Sequence, residues 1–155
     1  MNEPPARDWQ VLLFGGASGV GKTRVSYRLA QHYAVGVTEV DDFQLILERL
    51  TTPEQLPALH FWSTQPEEAA RLSEAQLLAH TRAVAGELSV ALEAVIANHL
   101  EDGPPLILEG DFILPALAAQ AAFAGVAAKR QVRAIFLYED DEQQLLRNYS
   151  RARRR

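Results

Sequence analysis

An apolar run that leads straight into a glycine-rich segment constrains this chain more than any other feature of its sequence. Val11 to Phe14 is apolar, and the residues from Gly16 to Thr23 follow the spacing Gly-x-x-x-x-Gly-Lys-Thr. Glycines reach backbone conformations that side chains forbid, so successive N–H groups can surround a polyphosphate. We therefore predict a strand, then a phosphate-binding loop, then a helix that begins near Lys22 and directs its N-terminus at the anion.

The loop also supplies side chains with predicted roles. The predicted nucleotide-binding residues are Gly16, Ala17, Ser18, Gly19, Val20, Gly21, Lys22, Thr23 and Arg24. We expect the ammonium of Lys22 to contact the β and γ phosphates and to act in catalysis. The hydroxyl of Thr23 is predicted to be a ligand of Mg²⁺.

Composition limits the classes of protein that fit. A length of 155 residues suits one domain, so we treat residues 1–155 as a single unit. A formal net charge of −5 argues against general nucleic-acid binding or attachment to a membrane surface, both of which need clustered positive charge. The chain has no cysteine, which excludes disulfides and thiolate metal sites, and its four histidines lack ligand spacing.

No targeting or membrane segment is expected. The N-terminal sequence Met-Asn-Glu-Pro-Pro has neither a basic region nor an apolar core, so a signal peptide is not predicted and a cytoplasmic protein is. The weakly polar stretch 112–128 contains Pro115 and Gly125 and is too short to span a bilayer.

Strand-like and helical patterns alternate along the chain. Helices are predicted over Lys22 to Tyr33, Gln44 to Leu50, Glu67 to Leu100 as one helix or two with a break at Gly86, Leu114 to Ala128, and Asp140 to Arg151. Strands are predicted at Val11 to Phe14, Val37 to Val40, Leu106 to Leu108 and Val132 to Tyr138, with an irregular loop over 51–66. This order predicts an α/β fold with a parallel sheet and helices on both faces.

Acidic residues follow three of the predicted strands. Ligands of open α/β sheets bind beyond the carboxyl ends of the strands, which makes these residues candidates by position. We predict that Glu109 holds Mg²⁺ or its water and that Asp41 takes the proton of an acceptor hydroxyl. Asp42 is the alternative base and a candidate Mg²⁺ ligand. The acidic residues 139–142 are better explained as the start of a helix.

These segments resemble the small-molecule kinases of the P-loop superfamily. Asp41-Asp42-Phe43 is similar to a motif of nucleoside and nicotinamide-riboside kinases. The loop that ends at Thr23 and the segment from Glu109 to Pro115 are similar to motifs of 2-phosphoglycerate kinases. The resemblance implies a P-loop NTPase-type three-layer sandwich with four or five parallel strands. It also implies Mg²⁺-dependent transfer of a phosphoryl group from ATP to a small hydroxyl compound.

The resemblance extends to the basic C-terminal segment, because kinases of this group carry arginines on a mobile lid. Arg147 and Arg151 are one helical turn apart and are the predicted catalytic arginines. A planar guanidinium suits the charge that is spread over a transferring phosphate. The run Arg153 to Arg155 is either part of this lid or a solvated tail.

Kinases of this group usually continue into a fifth strand, whereas this sequence stops within the predicted lid. Either the chain is a truncated form, or its sheet has four strands and an exposed edge that a homodimer could cover.

Other functions stay open on the sequence alone. An NTP hydrolase or a nucleotide-controlled switch is the main rival, and a non-catalytic nucleotide-binding module is the third. The absence of Asn-Lys-x-Asp disfavours a GTPase, since Asn148 is followed by Tyr149. Phe61 and Trp62 fit a core position better than a stacking surface for an acceptor ring.

Overall fold

Four parallel strands form the central layer of the protein. The computed structural model describes residues 4–152, and the side chains of 149–152 lie outside that description. The four strands are β1 (Val11–Gly16), β2 (Gly36–Glu39), β3 (Leu106–Gly110) and β6 (Val132–Leu137), and the short strands β4 (Ala122–Phe123) and β5 (Val126–Ala127) form a separate antiparallel pair. The order in the main sheet is β2-β3-β1-β6, with Val11 opposite Leu106 and Val132. The predicted parallel α/β sheet is confirmed, with four strands.

Helices cover both faces of this sheet. They are α1 (Lys22–Tyr33), α2 (Val40–Leu50), α3 (Pro57–Thr64), α4 (Pro66–Ala69), α5 (Glu74–Glu101), α6 (Pro115–Ala118) and α7 (Glu142–Ala152). The predicted helix over Lys22 to Tyr33 is confirmed with the same bounds. The predicted helix at Gln44 is wrong at its start, because α2 begins at Val40 and includes both neighbouring aspartates.

The strand β1 shows why the layers form. Val11 and Leu13 pack into one core cluster with the α5 residue Leu88, whereas Leu12 and Phe14 pack into a second cluster with the α1 residue Ala30. Successive side chains of a strand point to opposite faces, so an unbroken apolar strand needs a helix on each side. This arrangement positions the segment after β1 at the carboxyl edge of the sheet, between the two helical layers.

The long helix α5 is continuous. Ser73 and Gln76 form a capping box at its start, and Gly86 does not break it. By length and composition alone α5 could cross a membrane, the one such helix among residues 4–152. Leu88 and Leu92 on one face of α5 are fully buried in the core cluster. A helix that packs in a protein core can be as long and as apolar as a membrane-spanning helix, so length and composition do not distinguish the two.

The predicted irregular loop over 51–66 is wrong, because α3 lies within it. Pro57 begins the helix, where its missing N–H is not needed. The carboxylate of Glu87 on α5 accepts hydrogen bonds from the N–H groups of Ala58 at 3.0 Å and Leu59 at 2.8 Å. The helix therefore has its N-terminal donors satisfied by a residue that is distant in sequence.

The predicted helix over Leu114 to Ala128 is also wrong. The single turn α6 is followed by the hairpin β4–β5, whose two central residues are Ala124 and Gly125. Their φ angles are +42° and +87°, the positive values that a tight hairpin turn requires. The alanine-rich composition favoured a helix, but backbone geometry at this turn excludes one.

The strand β6 is an edge strand of the described sheet. It pairs with β1 and with no other strand among residues 4–152. Its apolar residues Ile135 and Phe136 are 38% and 37% exposed. The predicted four-stranded sheet thus has an open edge, and its coverage by a homodimer stays a prediction.

Candidate active site

The loop from Gly16 to Thr23 connects β1 to α1 at the carboxyl edge of the sheet. Gly19 and Gly21 have φ angles of +82° and +92°, which side chains rarely adopt. At Gly16, φ is +142° and an added Cβ would lie 2.3 Å from the carbonyl oxygen of Leu137. No side chain caps α1, so the first N–H groups of this helix remain available to an anion.

A cavity of about 1080 Å³ opens above this loop. Its walls include the loop residues Ser18 to Thr23, the α1 residues Arg24 and Arg28, and four carboxylates. The carboxylates belong to Glu39, Asp41, Glu109 and Asp111. The space is large enough for a nucleotide-sized ligand. Gly16 and Ala17, also predicted to bind nucleotide, are not among the cavity walls.

Lys22 lies at the base of this cavity and is 5% exposed. Its Nζ donates a hydrogen bond to the carbonyl oxygen of Ala17 at 3.0 Å and forms an ion pair with the carboxylate of Asp111. The structure therefore places the ammonium where a phosphate bound in the loop would meet it.

Thr23 and Glu109 meet beside the lysine. The hydroxyl of Thr23 donates to Oε2 of Glu109 at 3.0 Å. Glu109 is 5% exposed, and this burial raises the pKa of its carboxyl, while the hydrogen bond from Thr23 and the charge of Lys22 partly oppose the shift.

The oxygens of this pair fit the predicted magnesium. Residues 4–148 contain no group of three or more histidine or acidic side chains arranged to hold a metal. Mg²⁺ is usually held by one or two carboxylates together with phosphate oxygens, rather than by a complete protein cage. A hydroxyl and a buried carboxylate beside a phosphate-binding loop match that donor set.

Asp41 and Asp42 are adjacent in the sequence but differ in their position relative to the cavity. Asp41 lines the cavity, whereas Asp42 does not. Both lie in the first turn of α2, where adjacent residues project about 100° apart. The pKa of Asp41 is raised, first by desolvation and then by the nearby carboxylates of Asp111 and Glu39. Asp41 is therefore among the cavity walls and Asp42 is not, while the predicted metal role of Asp42 stays a prediction.

Arg147, one of the two predicted catalytic arginines, is not among the cavity walls. Arg147 is exposed on α7 and donates hydrogen bonds to the side chain of Gln144, the shorter at 2.9 Å. The side chain of Arg151, and all of Arg153 to Arg155, lie outside the described residues. Arg147 thus lies outside the cavity walls in this structure, and its predicted contact with the phosphate stays a prediction.

Asn148 connects α7 to the loop instead. Its Nδ2 donates a hydrogen bond to the carbonyl oxygen of Gly19 at 2.8 Å. Its Oδ1 accepts a hydrogen bond from Gln144 at 2.9 Å, which fixes the orientation of the amide. N–H groups of such a loop face the anion, so its carbonyls need partners elsewhere, and Asn148 supplies one.

Six residues of the cavity walls were not among the predicted site residues: Val25, Tyr27, Arg28, Glu39, Asp111 and Asn148. Asp111 follows β3, and Glu39 ends β2. Tyr27 donates from its hydroxyl to Oε1 of Glu39 at 3.0 Å, and this bond raises the pKa of the tyrosine. Arg28 lies one helical turn after Arg24, a spacing from which its place on the same face could have been predicted.

The aromatic residues of α3 lie away from the cavity. The rings of Phe61 and Trp62 pack against that of His80 on α5, at centroid distances of 4.7 and 5.4 Å. Neither residue is among the cavity walls, although Trp62 is 47% exposed. Both rings pack against His80 rather than at the cavity, but neither belongs to a core cluster, so the predicted core position is wrong for the exposed Trp62.

The fold and the cavity together are typical of one class of phosphate-binding protein. A parallel α/β sandwich has a Gly-x-x-x-x-Gly-Lys-Thr loop between its first strand and helix, with carboxylates at the ends of neighbouring strands. In this arrangement the chain resembles the P-loop kinase group.

Comparison with known proteins finds similarity to 2-phosphoglycerate kinases over part of their length. The chain is 30% identical to a 2-phosphoglycerate kinase of Methanococcus vannielii over 119 residues, which cover 71% of this chain and 38% of that protein. It is 26% identical to the 2-phosphoglycerate kinase of Pyrococcus horikoshii over 110 residues, 68% of this chain and 36% of that protein. The chain thus spans little more than a third of the length of these relatives.

Two further comparisons add less. No protein-family model matches the chain. A crystal structure of a sugar kinase from Janibacter sp. covers 92% of this chain and 93% of its own, at 17% identity and a TM-score of 0.29, and we draw nothing from so weak a likeness.

Proposed function

We propose that this protein is a phosphotransferase that moves the γ-phosphate of ATP to a hydroxyl group of a small molecule, with Mg²⁺. The observation that carries the proposal is the convergence of Lys22, Thr23, Asp41 and Glu109 on one cavity above the glycine loop. These residues come from three separate segments, and each has the chemistry that phosphoryl transfer needs.

The donor half of the reaction rests on the loop. Its backbone N–H groups and the N-terminus of α1 bind the phosphates, and Lys22 neutralises charge on the terminal ones. Thr23 and Glu109 would hold Mg²⁺, which supplies charge neutralisation and orientation when it is bound.

Asp41 orients the acceptor. The acceptor oxygen forms a bond to the γ-phosphorus, the bond from that phosphorus to the β,γ-bridging oxygen breaks, and the hydroxyl proton passes to the carboxylate of Asp41. A carboxylate is adequate because this reaction depends on positioning and charge neutralisation more than on a strong base. The raised pKa of Asp41 makes it a better proton acceptor than an ordinary aspartate.

The names of the relatives make 2-phosphoglycerate the first acceptor to test. Arg24 and Arg28 line the cavity, and neither has an ion-pair partner among the described side chains. Two free guanidinium groups offer binding sites for an acceptor that carries phosphate or carboxylate. The cavity carboxylates at Glu39 and Asp41 suit hydroxyl groups, so the panel also includes glycerol and simple sugars.

The deciding experiment measures ATP consumption by the purified chain, with and without each acceptor. Turnover that requires an acceptor supports the kinase. Turnover without any acceptor identifies a hydrolase or switch, and ATP binding without turnover identifies a nucleotide-binding module.

We place the protein in the cytoplasm, where ATP and such metabolites are available.

A pair of variants tests the base. Asp41→Asn is expected to lower acceptor-dependent turnover by roughly 10²- to 10⁴-fold with little change in ATP affinity. Asp42→Asn is the matched control, because this neighbour does not line the cavity, and it is expected to retain activity within about threefold. Full turnover by Asp41→Asn, or an equal loss in both variants, would show that Asp41 is not the base.

A further inference from the structure

Lys22 carries a charge that is almost fully buried, and Asp111 is its charged partner. The lysine side chain is 6% exposed and that of Asp111 is 36% exposed. This is the only ion pair in the cavity among the described side chains, although Glu39, Asp41 and Glu109 line the same space. A buried ammonium needs a partner, so the ion pair with Asp111 stabilises Lys22 when no ligand is bound.

A polyphosphate bound in the loop would interact with the same ammonium of Lys22. Lys22 has three N–H donors, of which one is directed at the carbonyl of Ala17 and one at Asp111. A terminal phosphate bound in the loop would bring its own negative charge to this ammonium, next to the carboxylate of Asp111. Two anions then compete for one cation, and their mutual repulsion opposes simultaneous binding.

We propose that Asp111 is a positioning residue that holds Lys22 in the ligand-free protein and gives it up to the terminal phosphates when a polyphosphate binds. The inference rests on the proposed function for the identity of the ligand, but the exchange of partners concerns any polyphosphate in the loop. Asp111 thereby lowers the affinity for phosphates while it keeps the lysine placed for them.

The test is the affinity for inorganic pyrophosphate and for ATP, each without Mg²⁺ and without an acceptor, measured by titration calorimetry. Asp111→Asn removes the competing charge and keeps the shape of the side chain. It is expected to bind both ligands roughly threefold to thirtyfold more tightly than the wild type. Weaker or unchanged binding by this variant overturns the proposal.

A variant of a second cavity carboxylate distinguishes competition for Lys22 from general repulsion between the cavity carboxylates and the phosphates. Glu39 lines the cavity but is paired with the hydroxyl of Tyr27 rather than with Lys22. Competition for the lysine predicts that Asp111→Asn tightens binding clearly more than Glu39→Gln does. Equal tightening by the two variants would mean that only the total charge matters, and would overturn the proposal.

Two further measurements keep the result interpretable. Asp111→Glu retains the negative charge and is expected to bind within about threefold of the wild type, so tightening in this variant contradicts the proposal. Without ligand, Asp111→Asn should melt at a lower temperature than the wild type because Lys22 loses its partner. It should also gain more in melting temperature from pyrophosphate, and a smaller gain counts against the exchange.

Magnesium provides the last distinction. If Asp111 were a metal ligand, Asp111→Asn would bind ATP less tightly with Mg²⁺ than the wild type does, and that result would also overturn the proposal. None of these binding and melting measurements depends on catalytic turnover. Failure of every acceptor in the activity assay would therefore refute the proposed kinase, while the exchange of partners at Lys22 would still be decided by the binding data.

Discussion

The hydroxyl of Thr23 and the carboxylate of Glu109 are joined by a hydrogen bond of 3.0 Å, although 86 positions separate them in the sequence. The sheet produces this contact. β1 and β3 are parallel neighbours in which Phe14 lies opposite Glu109, so the loop after β1 and the end of β3 reach the same edge. A hydroxyl and a buried carboxylate at this edge form the pair to which we assign the metal.

Removing either member of this pair should weaken the binding of nucleotide only when magnesium is present. Thr23→Ala and Glu109→Gln are each expected to reduce the affinity for MgATP by roughly tenfold, about 1.4 kcal/mol, and to leave the affinity for free ATP nearly unchanged. The double variant should lose less than the sum of the two single losses, because both remove the same site.

The matched control for this pair is Tyr27→Phe, which deletes another cavity hydroxyl that bonds a carboxylate. We expect it to bind MgATP within about threefold of the wild type. Titration calorimetry with and without Mg²⁺ measures all four variants. Equal losses under the two conditions would place the pair in phosphate binding or folding rather than at the metal.

Asn148 should contribute to nucleotide affinity without contacting the nucleotide. Its amide donates to the carbonyl of Gly19, so Asn148→Leu removes the donor and leaves that carbonyl without its partner. The expected loss in ATP affinity is roughly threefold to tenfold, about 0.6 to 1.4 kcal/mol, by titration calorimetry.

A second variant at this position shows whether charge is involved. Asn148→Asp also removes the donor and adds a negative charge near the site of the anion, so it should lose more than Asn148→Leu. A leucine variant that binds ATP as the wild type does would show that α7 does not support the loop.

Two glycines offer a matched comparison of crowded and open positions. A Cβ on Gly110 would lie 2.5 Å from Cβ of Val40, so Gly110→Ala must displace α2, which carries Asp41. A Cβ on Gly86 would meet nothing within 4 Å on the helix α5. We expect Gly110→Ala to lower the free energy of unfolding by about 1 to 3 kcal/mol, and Gly86→Ala to raise it by about 0.5 to 1 kcal/mol.

Urea denaturation measures both changes, and the activity assay adds a second reading. Because α2 carries the proposed base, Gly110→Ala should lose acceptor-dependent turnover even under conditions in which it is folded. A stable and fully active Gly110→Ala variant would contradict the tight approach of α2 to β3.

Local signals were sufficient for β1, for α1 and for the loop between them. The helix from Lys22 to Tyr33 was predicted with its observed bounds, because the motif before it, its apolar period and Gly36 after it are all close in sequence. α3 was missed because Glu87, distant in sequence, caps it. The hairpin was missed because Ala124 adopts a positive φ that its residue type disfavours.

In the candidate site, too, the local sequence predicted some features, and tertiary contacts determined the others. The sequence was enough to predict Lys22, Thr23 and Glu109 as neighbours, since a motif and a strand end define them. The choice between Asp41 and Asp42 depends on where α2 begins, which is a tertiary outcome. The ion pair of Lys22 with Asp111 depends on β3 lying next to β1, and no local pattern specifies that order.

His80 should make the stability of the protein depend on pH. Its ring packs against Phe61 and Trp62, and its Nε2 is buried without a hydrogen-bond partner among the described residues.

Burial lowers the pKa of His80 below its ordinary value of 6.5, with a smaller opposing effect from Glu87. The unfolded chain therefore binds a proton at this residue more readily than the folded chain does. The stabilisation from neutral His80 is complete above pH 6.5 and is lost as the pH falls through the lowered folded pKa.

His80→Phe removes the titrating group and retains an aromatic ring in the cluster. The free energy of unfolding, measured in urea from about pH 7.5 to pH 5, should fall more steeply with acidification in the wild type than in this variant. The difference between the two proteins isolates His80, because the raised pKa values of Asp41 and Glu109 act on both and with the opposite sign. A difference that stays constant over this range would mean that His80 titrates alike in the folded and unfolded chains, and that its burial does not affect its protonation.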